Sequence, residues 1–151
     1  MANAIKYSMP VALTLVIAGD ASSPTLKNLA NSARLLSNAI ASSRDQLSDW
    51  RLRVRLQVAP TAGRLVLGWF VVDTGDNAEY EDGDASTEPL KPPDLLFPVR
   101  AVLSQQVIAL RRVLKPNTAY KVLIKNDTGQ AFTNTDNENQ LHNSLYNNEI
   151  Q

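Results

Sequence analysis

The chain has no cysteine and a single histidine, His142, among its 151 residues. The first absence removes disulfides, thiolate metal sites and cysteine nucleophiles together, and the second rules out a metal site built from several imidazoles. An excess of charge of one sign is missing too. The 15 Lys and Arg balance 15 Asp and Glu, so no global field draws the molecule onto nucleic acid or an anionic membrane, and charge-driven contacts have to be local. No apolar run reaches the length of a membrane span. The opening residues Met1-Ala2-Asn3-Ala4-Ile5-Lys6 lack the long hydrophobic core of a signal peptide, so synthesis and use in a cytoplasm are expected. What remains is a chain of one-domain length that is held together by packing or by neighbours in an assembly.

What the sequence does have is alternation, centred on residues 50–73. Trp50, Leu52, Val54, Leu56 and Val58 alternate with Arg51, Arg53, Arg55 and Gln57, the pattern of a strand with one buried face. A turn cluster with Pro60 and Gly63 follows, and then residues 65–72 are apolar on both faces and need cover on both. Read as a β-hairpin, the stretch pairs Val58 with Leu65, Leu56 with Leu67, Val54 with Trp69 and Leu52 with Val71 on one apolar face. That register sets Arg51, Arg53 and Arg55 opposite Val72, Phe70 and Gly68 on the outward face. Arginine interleaved with aromatic and aliphatic side chains is the composition of protein interfaces. The alternative is a solvated face on which the arginine stems cover Phe70.

Around this centre the chain reads as short strands between turns. Residues 1–10 form an extended N-terminal arm, and residues 11–17 form a strand ended by Gly19-Asp20. Leu26, Leu29, Ala33, Leu36 and Ile40 fall at helical spacing behind Ser23-Pro24, while the many Ser and Asn residues and the β-rich remainder stand against a helix and favour a strand near Ser32 to Ile40. Residues 73–94 are a long acidic loop carrying Asp73, Asp76, Glu79, Glu81, Asp82 and Asp84, then Pro89, Pro92 and Pro93; loops of this length tend to be functional or mobile. A strand over 95–103 contains Pro98, which points to an edge or a bulge. Further strands are expected over 105–114, around Tyr120, Val122 and Ile124 up to the Asn126-Asp127-Thr128-Gly129 turn, and in a last strand carrying Leu141, Leu145, Tyr146 and Ile150. The expected fold is all-β, one antiparallel sandwich or barrel over residues 11–151.

Asp-Thr-Gly occurs at Asp73-Thr74-Gly75 and again at Asp127-Thr128-Gly129, and it resembles the catalytic loop of aspartic proteases, where two carboxylates share a proton. The following residues, Asp76 and Gln130, depart from that pattern, and Asp-x-Gly is also an ordinary turn. The loop carboxylates lack the alternating frame of an EF-hand. Arg100, Arg111, Arg112 and Lys115 offer a basic patch without a glycine-rich phosphate cradle, and His142 reads as a strand or surface residue. No catalytic residue, metal ligand or cofactor is expected.

Several phrases resemble, in order, a family of small structural proteins encoded among the virion genes of tailed bacteriophages. They are Pro60-Thr61-Ala62-Gly63, Tyr80-Glu81-Asp82-Gly83 with Ala85-Ser86, and Phe97-Pro98-Val99-Arg100-Ala101-Val102. Then come Tyr120-Lys121-Val122-Leu123-Ile124-Lys125-Asn126-Asp127-Thr128-Gly129-Gln130-Ala131 and Leu145-Tyr146-Asn147-Asn148-Glu149. In that family Ser32-Ala33-Arg34 starts a strand, which favours strand over helix there. The resemblance implies a β-sandwich of jelly-roll type without enzymatic residues, acting at the capsid surface of a virion assembled in the host cytoplasm. It implies a capsid cement or decoration protein whose partners are the major capsid protein and copies of itself, as a homotrimer, with no direct nucleic acid or membrane contact. On this reading Arg51, Arg53, Arg55, Phe70, Val72, Tyr80, Glu81, Asp82 and Asp84 are the candidates for subunit or lattice contacts. A tail or neck structural protein is the nearest alternative; an aspartic-type protease using Asp73 and Asp127 and a carbohydrate-binding sandwich are the others.

Overall fold

The computed structural model describes residues 5–7, 13–43, 46–75, 79–146 and 148–150, the first and last of these segments by their backbone alone. The strands are β1 (Ile5–Tyr7), β2 (Thr14–Ile17), β3 (Arg34–Leu36), β4 (Leu47–Val54), β5 (Leu65–Val72), β6 (Leu95–Pro98), β7 (Gln106–Leu114), β8 (Tyr120–Asp127), β9 (Gln140–Leu145) and β10 (Asn148–Ile150). Helix is absent among the described residues. Two antiparallel four-stranded sheets, β2-β9-β4-β7 and β3-β8-β5-β6, form an all-β sandwich, and β1 and β10 pair separately. The pairs nest: β1 with β10, β2 with β9, β3 with β8, β4 with β7 and β5 with β6. The chain is one long hairpin with its arms coiled together, and residues 73–94 are its tip. The β4–β9 and β5–β8 ladders join these pairs into sheets.

The core lies between the sheets, and β4 supplies it as its alternation demands: Trp50, Leu52, Val54 and Leu56 are buried. Trp50 packs on Phe70 at 5.5 Å between ring centroids, and Phe70 packs edge-on against Tyr120 at 5.4 Å. The indole N–H of Trp50 donates to Ser48 Oγ at 2.7 Å, so its one donor is satisfied inside the core. Burial pushes the Tyr120 phenol up to about 12, so it stays neutral.

The expected hairpin between residues 50–58 and 65–72 does not form. β4 and β5 belong to opposite sheets, and the chain leaving β4 pairs first with residues 131–133, through the Leu56–Phe132 bridge and the bonds from Gln57 N to Ala131 O and from Thr133 N to Arg55 O. The Pro60 and Gly63 turn is thus a crossing from one sheet to the other, and Val58 is exposed. The same segment bonds to residues 28 and 29, closing one end of the core with Leu26, Leu29, Leu56 and Phe132. Burial at this end accounts for the helix-like spacing of Leu26 and Leu29, while β3 supplies the short strand expected near residue 34.

Strand β5 is oriented opposite to expectation. Val66 and Phe70 face the other sheet, whereas Trp69 and Val71 form a second apolar cluster with Leu123. A strand apolar at both parities gives alternation no means of choosing the inner face, and a one-residue slip exchanges the two. Pro98 ends β6 at the edge of its sheet, where its missing N–H costs no ladder bond. The strand expected over 95–103 stops there, and the one expected from Leu141 to Ile150 is split into β9 and β10. Of the N-terminal arm, residues 5–7 pair with β10 and the rest lies outside the described residues, as do Val11 and Ala12 of the strand expected over 11–17.

Candidate functional site

The outer face of the β3-β8-β5-β6 sheet is covered by the chain itself. Trp69, Val71 and Leu123 are buried against Tyr80 of the loop and flanked by Leu36 and Leu67 of the same sheet, and the Trp69 indole donates to the carbonyl of Lys91 at 3.0 Å. Strand β6 pairs only with the first half of β5, so the edge beyond it needs other partners. The loop supplies them. Phe70 N–H donates to Asp94 Oδ2 at 2.8 Å, Lys91 Nζ donates to the Phe70 carbonyl at 2.6 Å, and Glu81 N–H donates to the Val72 carbonyl at 2.8 Å. Lys91 Nζ also donates to Glu81 at 2.8 Å; that hydrogen bond first, then its charge, holds the Glu81 carboxyl below the usual carboxylate range.

The remaining loop acids also fix the loop or face solvent. Asp84 Oδ1 accepts from the N–H groups of Ser86 and Thr87 at 2.7 and 2.6 Å, which lowers its pKa, first through the Ser86 hydroxyl. Gly83 sits at φ +118°, where a Cβ would lie 2.4 Å from Pro89 Cγ, so the sharp bend there requires glycine. Lys121 Nζ lies 4.0 Å above the Tyr80 ring, and Lys125 pairs with Glu88 at 2.5 Å. Asp82 and Leu90 are left exposed, Leu90 at 96 %.

The outer face of the β2-β9-β4-β7 sheet is bare among the described residues. Two rows of paired residues cross it, Leu15–His142–Arg51–Ala109 and Gln140–Arg53–Val107. Paired residues share a face, so the guanidinium groups of Arg51 and Arg53 lie between aliphatic side chains contributed by both edge strands. Leu15 and Val107 are 48 % and 57 % exposed, and Leu13 and Leu114 extend the two apolar borders. The acids on this side are engaged elsewhere. Asp49 pairs with Arg111 at 3.2 Å and accepts from the Tyr146 hydroxyl and the Arg112 N–H, both at 2.8 Å, while Glu138 pairs with Arg55 at 2.5 Å. Arg53 reaches only the neutral Gln140, at 3.3 Å. Burial first, then Arg53 and Arg51, lowers the pKa of His142, so the imidazole is neutral at pH 7.

The expected site residues therefore separate. Arg51 and Arg53 lie on the bare face, and Arg55 at its end. Phe70 is 3 % exposed in the core, so the outward pairing with Arg53 is replaced by Val107 and Gln140. Val72 is half-buried at the inward parity of β5, across from Tyr120, and not beside Arg51. Tyr80, Glu81, Asp82 and Asp84 belong to the loop on the other side. The two Asp-Thr-Gly aspartates cannot form a dyad. Asp73 follows the last pair of the β5–β8 ladder and Asp127 stands opposite Leu65 at its far end, roughly 25 Å away at about 3.3 Å per residue. Asp127-Thr128-Gly129 is a turn organised by buried Asn126, whose side-chain oxygen accepts from Thr128 N–H and whose amide donates to the carbonyls of Leu29 and Gln130.

The basic patch does not assemble either, since Lys115 is 8 % exposed and donates to Ser43 Oγ at 2.8 Å while Arg111 is committed to Asp49. Among the described residues no three His, Asp or Glu side chains converge on a cation position; Asp76 lies outside them. Sequence reasoning missed His142, Leu15 and Val107 as members of the face, and Lys91 and Asp94 as edge partners of β5. Exposed apolar residues at the outward parity of edge strands were the available signal for Leu15 and Val107. Compared with known proteins, the chain matches no family model, no curated protein and no solved structure.

Proposed function

We propose that the chain is a virion structural protein, a capsid cement or decoration protein that binds the major capsid protein lattice as a symmetric homo-oligomer, a trimer. The observation that carries this reading is the bare face: Arg51 and Arg53 have no carboxylate partner among the described residues and are bordered by exposed Leu15 and Val107, a combination that suits a contact surface. The nested pairing supports the jelly-roll part of the reading, because a long hairpin rolled into two sheets is that connectivity. The action would be mechanical. Each copy that binds assembled shell subunits and not free ones shifts the equilibrium toward the shell, in proportion to the contact it makes.

Cosedimentation tests the reading. Purified chain mixed with expanded phage heads lacking it is expected to pellet with them and saturate at a fixed ratio to the major capsid protein. The heads should then withstand higher temperature before releasing DNA. A chain that stays in the supernatant at every ratio refutes the proposal.

A further inference from the structure

The exposed charges differ between the two outer sides of the sandwich: on the loop side Asp82 and Asp84 are exposed while Lys121 and Lys125 are half-buried against Tyr80 and Glu88, and on the other side Arg51 is exposed. Over one sheet lies the loop, whose only cation, Lys91, is committed to Glu81 and the Phe70 carbonyl. Asp82 is exposed there, and Glu81, Asp82, Pro89, Leu90 and Lys91 line one shallow surface hollow around a leucine that is almost wholly in solvent. Over the other sheet lie Arg51 and Arg53, which have no carboxylate partner among the described residues and are bordered by Leu15 and Val107. One side presents acid with an exposed aliphatic knob, and the other presents guanidinium groups with aliphatic borders. The two are complementary in both charge and polarity.

We propose that these sides bind each other between copies: the loop around Asp82 and Leu90 of one molecule seats on the β2-β9-β4-β7 face of the next, carboxylate against Arg51 and Arg53, Leu90 against an aliphatic border. The occupant is a second copy of this chain. Docking takes the exposed Leu90 out of water and gives Arg51 and Arg53 a counter-charge that Asp49 of the same sheet, engaged by Arg111, does not supply. Because the two surfaces differ, the contact is heterologous: it closes into a ring when the rotation between successive copies divides a full turn, as a trimer needs, and runs on as a filament otherwise. The inference supplies the self-contact of the proposed oligomer and rests on that reading to that extent.

Sedimentation velocity on the full chain and two charge-reversed variants, R51E/R53E and D82K/L90K, tests it. Wild type is expected to self-associate, less so as salt rises. Each variant should keep the wild-type far-UV circular dichroism and weaken association on the order of a hundredfold, since like charges then face each other. Mixed in equal amounts, the variants should associate again, because the intact loop of R51E/R53E docks on the intact face of D82K/L90K and the lysines of D82K/L90K meet the glutamates of R51E/R53E as a swapped ion pair. Should a reversal unfold the chain, R51A/R53A and D82N give the same comparison at about tenfold. A wild type that is monomeric throughout, variants that assemble like wild type, or a mixture that stays monomeric overturns the proposal. Head cosedimentation of the same variants is read separately, so loss of self-contact with head binding kept is distinguished from failure of the capsid reading.

Discussion

The two sheets of the sandwich are alike in strand number and differ on their outsides. Outside β5 and β8, Trp69, Val71 and Leu123 are buried under a loop that the chain supplies from the tip of its own hairpin. Outside β4 and β9 the corresponding positions hold Arg51, Arg53, Gln140 and His142, and no segment crosses them among the described residues. A strand apolar at both parities obliges the chain to provide its second cover, whereas a strand that alternates with arginine leaves its face open without a folding penalty. The covered face is thus committed to stability, and the bare face is available for recognition.

Truncation should expose that division most strongly. Trp69→Ala is expected to cost about 3–5 kcal/mol in urea unfolding, because it empties the cluster under the loop, whereas Arg53→Ala on the bare face should stay within about 0.5 kcal/mol. Equal losses would break the comparison. Next in size is Asp94→Ala, which leaves the Phe70 N–H without its acceptor at the unpaired edge of β5. A loss of about 1–3 kcal/mol is expected, with faster hydrogen exchange at the Phe70 amide. An unchanged exchange rate would mean that the loop lies on the sheet without completing its edge.

Much of this was legible in the residues, and the failures have identifiable causes. The buried face of β4 could be read because polar and apolar residues alternate without exception from Trp50 to Leu56. The inner face of β5 could not, since Phe70 and Trp69 are equally apolar and only the sheet on each side decides which is core. The hairpin between them failed because Pro60 and Gly63 mark a turn without saying whether the chain returns to the same sheet. Residues 55–57 are already paired with 131–133, and such long-range pairing has no local signal. Arg51 and Arg53 were identified as outward-facing from β4 alone. Their neighbours His142, Leu15 and Val107 come from strands distant in sequence, so the composition of the face emerged only from the ladders.

The smallest expected effect is also the most specific to the bare face. His142 is the one histidine of the chain, so its imidazole Cε1 proton gives a single titration curve by NMR. Its folded pKa lies below the ordinary 6.5, through burial first and then through Arg53 and Arg51. Between those two values the unfolded chain binds the proton and the folded chain does not. The resulting penalty is absent above pH 6.5, grows as pH falls through it and levels off below the folded pKa. R51A/R53A is expected to raise the folded pKa part of the way, because burial, the larger cause, remains. A carboxylate brought to the face by a bound copy acts in the opposite sense to the arginines, while further burial lowers the pKa. Assembled wild type and D82N, compared at the same occupancy, separate these effects: the pKa should be higher when the docked loop carries the Asp82 charge, and an identical value in both would place that carboxylate away from the arginines.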